Sequence, residues 1–307
     1  MSSAGSKAVL EQFEQLTVWR RGGERAPHKP LLLLLALAAF QNGAKGVAFS
    51  EIERPLTELL REFGPSRASP HPEYPFWRLR NDGVWDVEAT RPMRIRASNN
   101  DVPRTELRSA HAVGSFSAEV QLALASDSSL VPRIARMLLG AHFPESLHQD
   151  LLDAVGLSLD TERLTRRRRD PKFREAVLRA YQHRCALCGL DIRLGSVTIG
   201  LEAAHIRWHQ ADGPDEVSNG IALCSIHHKL FDLGAFTFVV ERHIHVSERV
   251  HGSEQFDHVL LRHHGQKVAA PVRAEHQPLA VHLGWHRSQV FKAEARPLLS
   301  TPADGAA

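Results

Sequence analysis

Two short pairs of metal-binding residues constrain this 307-residue chain more than any other feature of its sequence. Cys185 and Cys188 form one pair, Cys224 and His227 the other, and each pair has two intervening residues. That spacing lets a tight turn direct both side chains at one ion. Three thiolates with one imidazole make a closed tetrahedral set typical of structural zinc. The sequence therefore predicts a structural Zn²⁺ site in the second half, against the alternative of two chance turns holding buried thiols.

Length and composition limit the number of domains, the kind of partner and the location of the protein. The length allows two domains, and we place them at residues 1–160 and 161–307, with a polar stretch at 156–170 between them. Arginines 166–169 in that stretch are either a solvated linker or a contact to DNA phosphates. The net charge of +3 permits a polyanionic partner. A polar N-terminus, an apolar run (31–40) too short to span a bilayer, and three cysteines predict a cytoplasmic protein with no membrane partner.

The first half predicts helices and one hairpin. Apolar spacing and end signals place helices at 8–16, from 27 to 40, 50–63, 129–139 and 146–155. Ser50 is the predicted N-cap of the third helix, and Pro55 lies inside it, where it is expected to bend the helix. The turn signal Asn81-Asp82-Gly83 predicts a β-hairpin over 76–87. The expected fold class is α+β, with a mainly helical, winged-helix-like N-terminal domain.

In the second half, Asp170-Pro171 predicts the start of a helix whose Phe173, Val177 and Tyr181 share one face. Histidine is frequent here, and the chain has 19 in all. Three of these histidines, at 209, 243 and 245, are interpreted as surface or satisfied residues.

Three polar residues lie between and beside the metal-binding pairs. They are His205 in the run Leu201-Glu-Ala-Ala-His205, Asn219 before Gly220, and His228 directly after His227. With the two pairs, this pattern over about 169–246 resembles the HNH nuclease family, in the subgroup with a zinc-stapled ββα-metal fold. The resemblance implies a DNA endonuclease with a catalytic divalent metal, Mg²⁺ or Mn²⁺, and His205, Asn219 and His228 as its catalytic residues.

The chemistry agrees with that resemblance. Phosphodiester hydrolysis needs a base that deprotonates water and a cation that stabilises the leaving 3′ oxygen. A neutral imidazole is a base at physiological pH, and His205 is the candidate. Asn219 either orients the loop that carries His205 or touches the metal. His228 is a candidate metal ligand. Relatives place an acidic ligand where this chain has Ala204, so Glu202 and Asp232 are the candidate carboxylate ligands. Strand alternation puts Glu202 on the face opposite His205, and Asp232 is equally a helix cap.

Two segments of the first half carry a second resemblance. Pro27-His28-Lys29-Pro30 and the run 71–78 resemble the sulfur-binding domain of modification-dependent restriction endonucleases of the McrA type, over about 8–155. These enzymes cut DNA that carries phosphorothioate linkages. The resemblance implies recognition of sulfur, phosphate and base edges by a set of seven residues: His28, Lys29, His71, Tyr74, Pro75, Arg78 and Arg80.

A sulfur pocket has a physical rationale. Sulfur in place of a non-bridging phosphate oxygen keeps the charge but is larger and less hydrated. A cavity walled by Pro75 and Tyr74 would accept sulfur, whereas oxygen would lose hydrogen bonds to water there. Lys29, Arg78 and Arg80 would hold the phosphate and base edges. The competing interpretation is that residues 74–77 form an ordinary aromatic core cluster.

Two other functions compete with phosphorothioate-dependent cleavage. The first domain would read another mark, such as a methylated base flipped into a pocket of Tyr74, Trp77 and Trp85, or no mark at all. Alternatively, the protein is a non-enzymatic zinc-containing DNA-binding regulator, which would not need the three polar residues between the pairs. The expected partner is double-stranded, phosphorothioate-modified DNA. Double-strand cleavage needs two sites, so we also expect a homodimer.

Overall fold

The computed structural model describes residues 3–17, 26–65, 69–159, 171–195, 197–239 and 242–298. The chain forms two compact units, residues 1–165 and 166–307. The predicted boundary at 160/161, the arginines 166–169 and the predicted cap Asp170 lie outside the described residues. Both units combine helices with small sheets. In the described ranges no helix has the length and apolar character that a bilayer span requires.

The first unit is mainly helical, as predicted. Its helices are α1 (Ser3–Glu14), α2 (His28–Gln41), α3 (Phe49–Phe63), α4 (Glu73–Arg78), α5 (Arg104–Ser109), α6 (Ala118–Ser126), α7 (Leu130–His142) and α8 (His148–Val155). Helix α2 is apolar on all sides and contacts α3, α4, α7 and α8. The side chains of leucines 31–34 have no exposed surface. A helix that is hydrophobic all round must be buried, so the leucine run fixes the centre of this unit.

Helix α3 runs through Pro55, although an internal proline costs about 3 kcal/mol. Apolar residues at helical spacing, among them Phe49, Leu56 and Phe63, are buried on one face of this helix. Each such side chain contributes roughly 1.5–3 kcal/mol, so their burial offsets the cost of the proline. The predicted N-cap was wrong. The helix begins one residue earlier and its N-cap is Ala48, because the chain enters α3 directly from a strand.

The hairpin predicted over 76–87 was also wrong. Helix α4 continues into a 3-10 turn at Leu79–Asp82, and Gly83, with φ +76°, ends it. A left-handed glycine after a helical turn is a common helix end, and Pro75 is tolerated in the first turn of α4. The Asn-Asp-Gly signal therefore closes a helix. The strand that follows pairs with a strand far along the chain.

The sheet of the first unit has three antiparallel strands: β1 (Val47–Ala48), β2 (Trp85–Glu88) and β3 (Val113–Phe116). Their order is β1-β3-β2, with Trp85 opposite Phe116 and Glu88 opposite Val113. Trp85 contacts Phe76 and Phe116 edge to face. Its indole N–H donates to the carbonyl of Phe76 (3.1 Å). The sheet and α4 thus share one aromatic core.

The second unit contains helices α9 (Pro171–Ala180), α10 (Ser225–Asp232), α11 (Glu254–Val259) and α12 (Ala280–Gln289). Its strands are β4 (Arg193–Leu194), β5 (Val197–Thr198), β6 (Leu201–His205), β7 (Gly220–Cys224), β8 (Phe236–Phe238) and β9 (Ile244–Val246). Strands β6 and β7 pair antiparallel, and both α9 and α10 pack against them. Phe173, Val177 and Tyr181 are buried, as the helical spacing predicted. This arrangement of two strands and α10 is the expected ββα unit.

Gly114 in β3 provides a test of the first unit. A Cβ at this position would lie 2.3 Å from Trp85 Cζ2 and 2.9 Å from Phe76 Cε2. Gly114→Ala should therefore lower the free energy of unfolding by about 1–3 kcal/mol through overpacking. Gly140→Ala is the matched control, because a Cβ there meets nothing within 4 Å and should raise helix stability by about 0.5–1 kcal/mol. Calorimetry of the full chain measures both, and equal stability of the two variants would contradict the packing described.

Candidate functional site

The predicted metal-binding pairs converge in the second unit. One ligand atom from each of Cys185, Cys188, Cys224 and His227 lies within 4.8 Å of all the others. Nδ1 of His227 is 3.1 Å from Sγ of Cys224 and 3.5 Å from Sγ of Cys185. Gly189, with φ +75°, closes the turn of the first pair, and its N–H donates to the carbonyl of Cys185 (2.8 Å). Three sulfurs and one nitrogen at this spacing fit a tetrahedral metal ion.

A hydrogen bond fixes which nitrogen of His227 faces the sulfurs. Its Nε2 donates to the carbonyl of Val259 (2.8 Å), so Nδ1 is the ligand atom. The hydrogen bond from Cys188 is the largest effect that holds the pKa of the Cys185 thiol low. The hydrogen bond to Cys185 in turn raises the pKa of the Cys188 thiol. These opposite shifts arise because the first thiolate disfavours a second one beside it, a conflict that a bound dication removes.

Strand β6 ends at His205, which the ladder pairs with Gly220 at the start of β7. The imidazole stacks on Phe173 of α9, with ring centroids 4.1 Å apart and planes 16° apart. A Cβ at Gly220 would lie 2.4 Å from Cγ2 of Val177, so glycine is required for α9 to approach this closely. Nε2 of His205 lies 2.7 Å from Oδ1 of Asp215. The ring is therefore held by an apolar face and by a carboxylate.

Asn219 is fully buried and closes the loop between β6 and β7. Its Oδ1 accepts from the N–H of Arg207 (2.8 Å), and its Nδ2 donates to the carbonyls of Arg207 (2.9 Å) and Pro214 (3.0 Å). The N–H of Ile206 also donates to the carbonyl of Asn219 (2.9 Å). Of the two predicted roles of this asparagine, these contacts favour orientation of the loop that follows His205.

His228 lies between two carboxylates. Nδ1 is 2.5 Å from Oε2 of Glu202, and Nε2 is 3.1 Å from Oδ2 of Asp232. Burial lowers the pKa of His228, but the charge and hydrogen bond of Asp232 and the hydrogen bond to Glu202 outweigh it and raise the pKa to about 9. The His228 side chain is 2% exposed and that of Glu202 is 41% exposed. The open side of this cluster is therefore at Glu202.

The predicted catalytic residues are thus divided between the two faces of the β6–β7 pair. His205 faces α9, while Glu202 contacts α10 through Ser225 (3.0 Å) and His228, as strand alternation predicts. Glu202, His228 and Asp232 do not form a compact ligand group. Within the described residues, the Cys3His cluster is the one group of three or more potential ligands whose ligand atoms all lie within 4.8 Å of one another. Sequence reasoning missed Asp215, whose only signal is its position four residues before Asn219.

In the first unit, three of the predicted sulfur-site residues form one stack. The rings of His71 and Tyr74 are 4.7 Å apart and nearly parallel, and the guanidinium of Arg78 lies 4.6 Å from the Tyr74 centroid. Nδ1 of His71 is 3.0 Å from Oε1 of Glu73. Pro75 is buried within α4. The structure therefore brings His71, Tyr74 and Arg78 together at the surface, and the neighbouring Pro75 is buried.

The other predicted sulfur-site residues make separate contacts. The ammonium of Lys29 is 2.5 Å from Oδ2 of Asp82 and donates to the carbonyl of Thr17 (2.8 Å). The guanidinium of Arg80 lies 3.6 Å from the centroid of Trp77. His28 is the first residue of α2, next to Lys29. The ammonium of Lys29 thus links the start of α2 to the 3-10 turn that follows α4.

A loop that sequence reasoning missed adjoins the stack. The carboxylate of Asp101, a residue that is 1% exposed, accepts two hydrogen bonds from Arg78 (2.7 and 2.5 Å). The indole N–H of Trp77 donates to the carbonyl of Asn100 (2.8 Å). Residues 94–100, which include Arg94 and Arg96, are exposed and are thereby fastened to α4.

Comparison with known families agrees with both halves of this geometry. Residues 6–160, half of the chain, match the family described as ScoMcrA-like, DNA sulfur-binding domain. The chain belongs to this family. Residues 185–239 match the HNH endonuclease family, which accounts for the ββα unit and its metal-binding pairs. The protein is an HNH endonuclease with a sulfur-binding domain, the combination of a modification-dependent DNA endonuclease, as the sequence predicted. No curated protein sequence matches the chain.

Some solved structures are similar to part of the chain. The sulfur-binding domain of ScoMcrA complexed with phosphorothioated DNA is 20% identical with a TM-score of 0.43, covering 48% of this chain and 94% of that one. The corresponding domain of SprMcrA, also complexed with phosphorothioated DNA, is 22% identical with a TM-score of 0.41, covering 50% and 94%. The ScoMcrA endonuclease is 19% identical with a TM-score of 0.40, covering 48% of this chain and 28% of that one. The family assignment rests on the sequence match.

Asn219 gives a direct test of the loop. Asn219→Asp keeps the side-chain shape but replaces the donor to two carbonyls by an acceptor, which should cost about 1–3 kcal/mol in a buried site. Amide hydrogen exchange in residues 206–219 should therefore speed up while the Cys3His cluster stays protected. Ser218→Ala is the control, since that hydroxyl makes only a 3.4 Å surface contact to Glu216. Parent-like exchange in Asn219→Asp would contradict this role.

Proposed function

We propose that this protein binds phosphorothioated DNA through its first unit and hydrolyses nearby phosphodiester bonds with His205 as the general base. The observation that carries the proposal is the fixed environment of His205. Its imidazole is stacked on Phe173 and bonded to Asp215, at the end of a strand whose partner leads directly into the Cys3His cluster. A positioned, largely buried imidazole suits proton transfer, and the sulfur-binding domain supplies the choice of substrate.

We propose that the Cys3His cluster holds a structural zinc ion. All four positions are taken by protein ligands, which leaves no open site for chemistry. Cys224 is the N-cap of α10, and His227 lies in its first turn. Because consecutive side chains on a helix point about 100° apart, a metal that fixes His227 also fixes the direction of His228. The ion would thereby position His228, a candidate ligand of the catalytic metal.

For hydrolysis, His205 would accept a proton from a water molecule as the water oxygen forms a bond to phosphorus. The bond from phosphorus to the 3′ oxygen then breaks, and that oxygen leaves with the bonding electrons and is protonated from solvent. A divalent metal, when bound, stabilises the negative charge on the phosphate and the leaving oxygen. Asn219 holds the loop beyond His205 and thereby keeps the imidazole in place.

Glu202 and His228 are the residues we propose for the divalent metal, with Asp232 behind them. A carboxylate and an imidazole together fit Mn²⁺, and Mg²⁺ commonly takes one or two carboxylates together with water and substrate phosphate. Glu202 compensates for Ala204, because both lie on the strand face that α10 covers. Asp232, whose side chain is 1% exposed, is bonded to Nε2 of His228 and would orient the imidazole from the closed side.

In the first unit we propose that Tyr74, which is partly exposed, contacts the sulfur atom. Sulfur is poorly hydrated, so it loses little on contact with an aromatic ring, whereas an oxygen there would lose hydrogen bonds to water. The guanidinium of Arg78 beside the ring would hold the phosphate charge. Pro75, His71, His28, Lys29 and Arg80 would shape this surface, and the arginine-bearing loop 94–100 would reach further along the DNA.

The rival functions have less support from the contacts. A flipped base would need Tyr74, Trp77 and Trp85 around one pocket, but Trp85 is 1% exposed and packed in the aromatic core. A non-enzymatic zinc regulator has no use for the stacked, carboxylate-bonded His205. Since double-strand cleavage needs two active sites, a homodimer remains part of the proposal. The winged-helix-like description of the first unit and the cytoplasmic location also remain predictions.

The zinc proposal predicts about one zinc per chain by elemental analysis. Cys188→Ser should lower zinc content and destabilise the second unit, because the metal supplies much of its folding energy. Limited proteolysis should then cut within residues 185–260, while the buried helix α2 of the first unit stays protected as an internal control. Active protein that contains no zinc would contradict the assignment.

The nuclease proposal predicts that His205→Ala lowers the cleavage rate about 10²–10⁴-fold and leaves DNA affinity unchanged, because the base acts only in the reaction. His251→Ala, which removes an exposed histidine of the same unit, is the control. In the inactive His205→Ala chain, affinity should favour the phosphorothioated over the unmodified duplex by roughly 5- to 150-fold at one salt concentration. Cleavage by His205→Ala near the parent rate would refute the base, and equal affinities would refute the sulfur site.

A further inference from the structure

We infer that Asp215 is the positioning residue for His205, holding the imidazole through Nε2 so that it accepts the proton of the attacking water. The inference rests on the proposed role of His205 as general base. Oδ1 of Asp215 lies 2.7 Å from Nε2 of His205, and the two side chains are 38% and 13% exposed. A contact this short between a carboxylate and an imidazole is a strong, charge-assisted hydrogen bond.

The main chain around Asp215 is held independently of its side chain. Pro214, the preceding residue, accepts a hydrogen bond from buried Asn219. Before it, Gly213 approaches so closely that a Cβ would lie 1.9 Å from the carbonyl oxygen of Arg207. The N–H of Gly213 donates to the carbonyl of Trp208 (3.0 Å). The loop therefore carries Asp215 to His205 through backbone contacts, and the carboxylate is not needed to close the loop.

The stacking contact of the imidazole and its hydrogen bond to Asp215 restrict different motions of the ring. Stacking on Phe173 restricts the ring plane but not rotation within that plane. The hydrogen bond to Asp215 sets that rotation. Together they define both the plane and the direction of each ring nitrogen, which is the requirement for a general base.

The hydrogen bond also selects the tautomer. When Nε2–H donates to Asp215, the neutral ring carries its lone pair on Nδ1, which takes the proton from water. The imidazolium formed then has the Asp215 carboxylate beside it. The proton moves from water to Nδ1 as the hydroxide oxygen bonds to phosphorus. The 3′ oxygen leaves with the electrons of its bond to phosphorus and takes a proton from solvent.

The position of His209 near Asp215 allows a second interpretation, in which the carboxylate occupies the place of a substrate phosphate. The experiment must distinguish this interpretation from a positioning role. Nδ1 of His209 is 3.8 Å from the same Oδ1, so the carboxylate lies between two imidazoles where a substrate phosphate would also be attracted. If Asp215 merely occupied the place of phosphate, its removal would speed cleavage. If it positions His205, its removal slows cleavage without weakening DNA binding.

The test is single-turnover cleavage of phosphorothioated duplex by the full chain at saturating DNA and Mn²⁺. Asp215→Asn and Asp215→Ala should lower the rate about 100-fold, the scale of a misplaced catalytic group, with Kd for DNA within about twofold of the parent. Sodium formate should restore most of the Asp215→Ala rate, because a small carboxylate can refill the space beside Nε2. Asp212→Asn is the matched control on the same loop, since it removes the same charge from an exposed residue and asparagine tolerates its left-handed φ of +60°. That variant should cleave at the parent rate.

Parent-rate or faster cleavage by both Asp215 variants would overturn the inference, as would a loss that formate does not relieve. His205→Ala, assayed alongside, separates this failure from failure of the proposed function. If His205→Ala is inactive while the Asp215 variants cut normally, only the positioning role falls. If His205→Ala also cuts normally, the nuclease assignment of His205 falls with it.

Discussion

The chemistry of the second unit depends on the register of one short antiparallel ladder. Strands β6 and β7 pair so that Leu201 lies opposite the metal-cluster residue Cys224 and His205 lies opposite Gly220. At about 3.4 Å per residue, this places His205 roughly 14 Å along the strand from the cluster end. A slip of one residue would turn His205 to the α10 face and Glu202 to the α9 face. The cluster and α10 hold that register at one end, and α9 holds it at the other.

Both units fasten an exposed loop with one buried polar side chain. In the second unit Asn219, which has no exposed surface, ties together the loop that carries Asp215. In the first unit Asp101, 1% exposed, ties the loop 94–100 to Arg78. Buried polar groups with all their hydrogen bonds made are rigid, because breaking any one leaves a costly unpaired atom. Residues that must meet DNA can therefore lie at the surface and still be held in place.

The parts of this structure that were predictable from sequence are those set by local spacing. The Cys-x-x-Cys and Cys-x-x-His pairs, the leucine run of α2 and the buried face of α9 follow from turn and helix geometry alone. The prediction of a hairpin over 76–87 was wrong because Asn-Asp-Gly ends a helical turn as readily as it makes a hairpin. Which of the two forms depends on the aromatic core around Trp85. Asp215 and Asp101 were missed because their partners are distant in sequence or hidden in loops, where no periodic pattern identifies them.

The proposed function requires one chain to read a sulfur atom on the DNA backbone and to cut the same molecule. It is tested most directly by incubating the full chain with two duplexes of identical sequence, one with a single phosphorothioate linkage, at fixed salt and Mn²⁺. The phosphorothioated duplex should be cleaved at enzyme concentrations that leave the unmodified duplex intact. Equal cleavage of the two duplexes would contradict it.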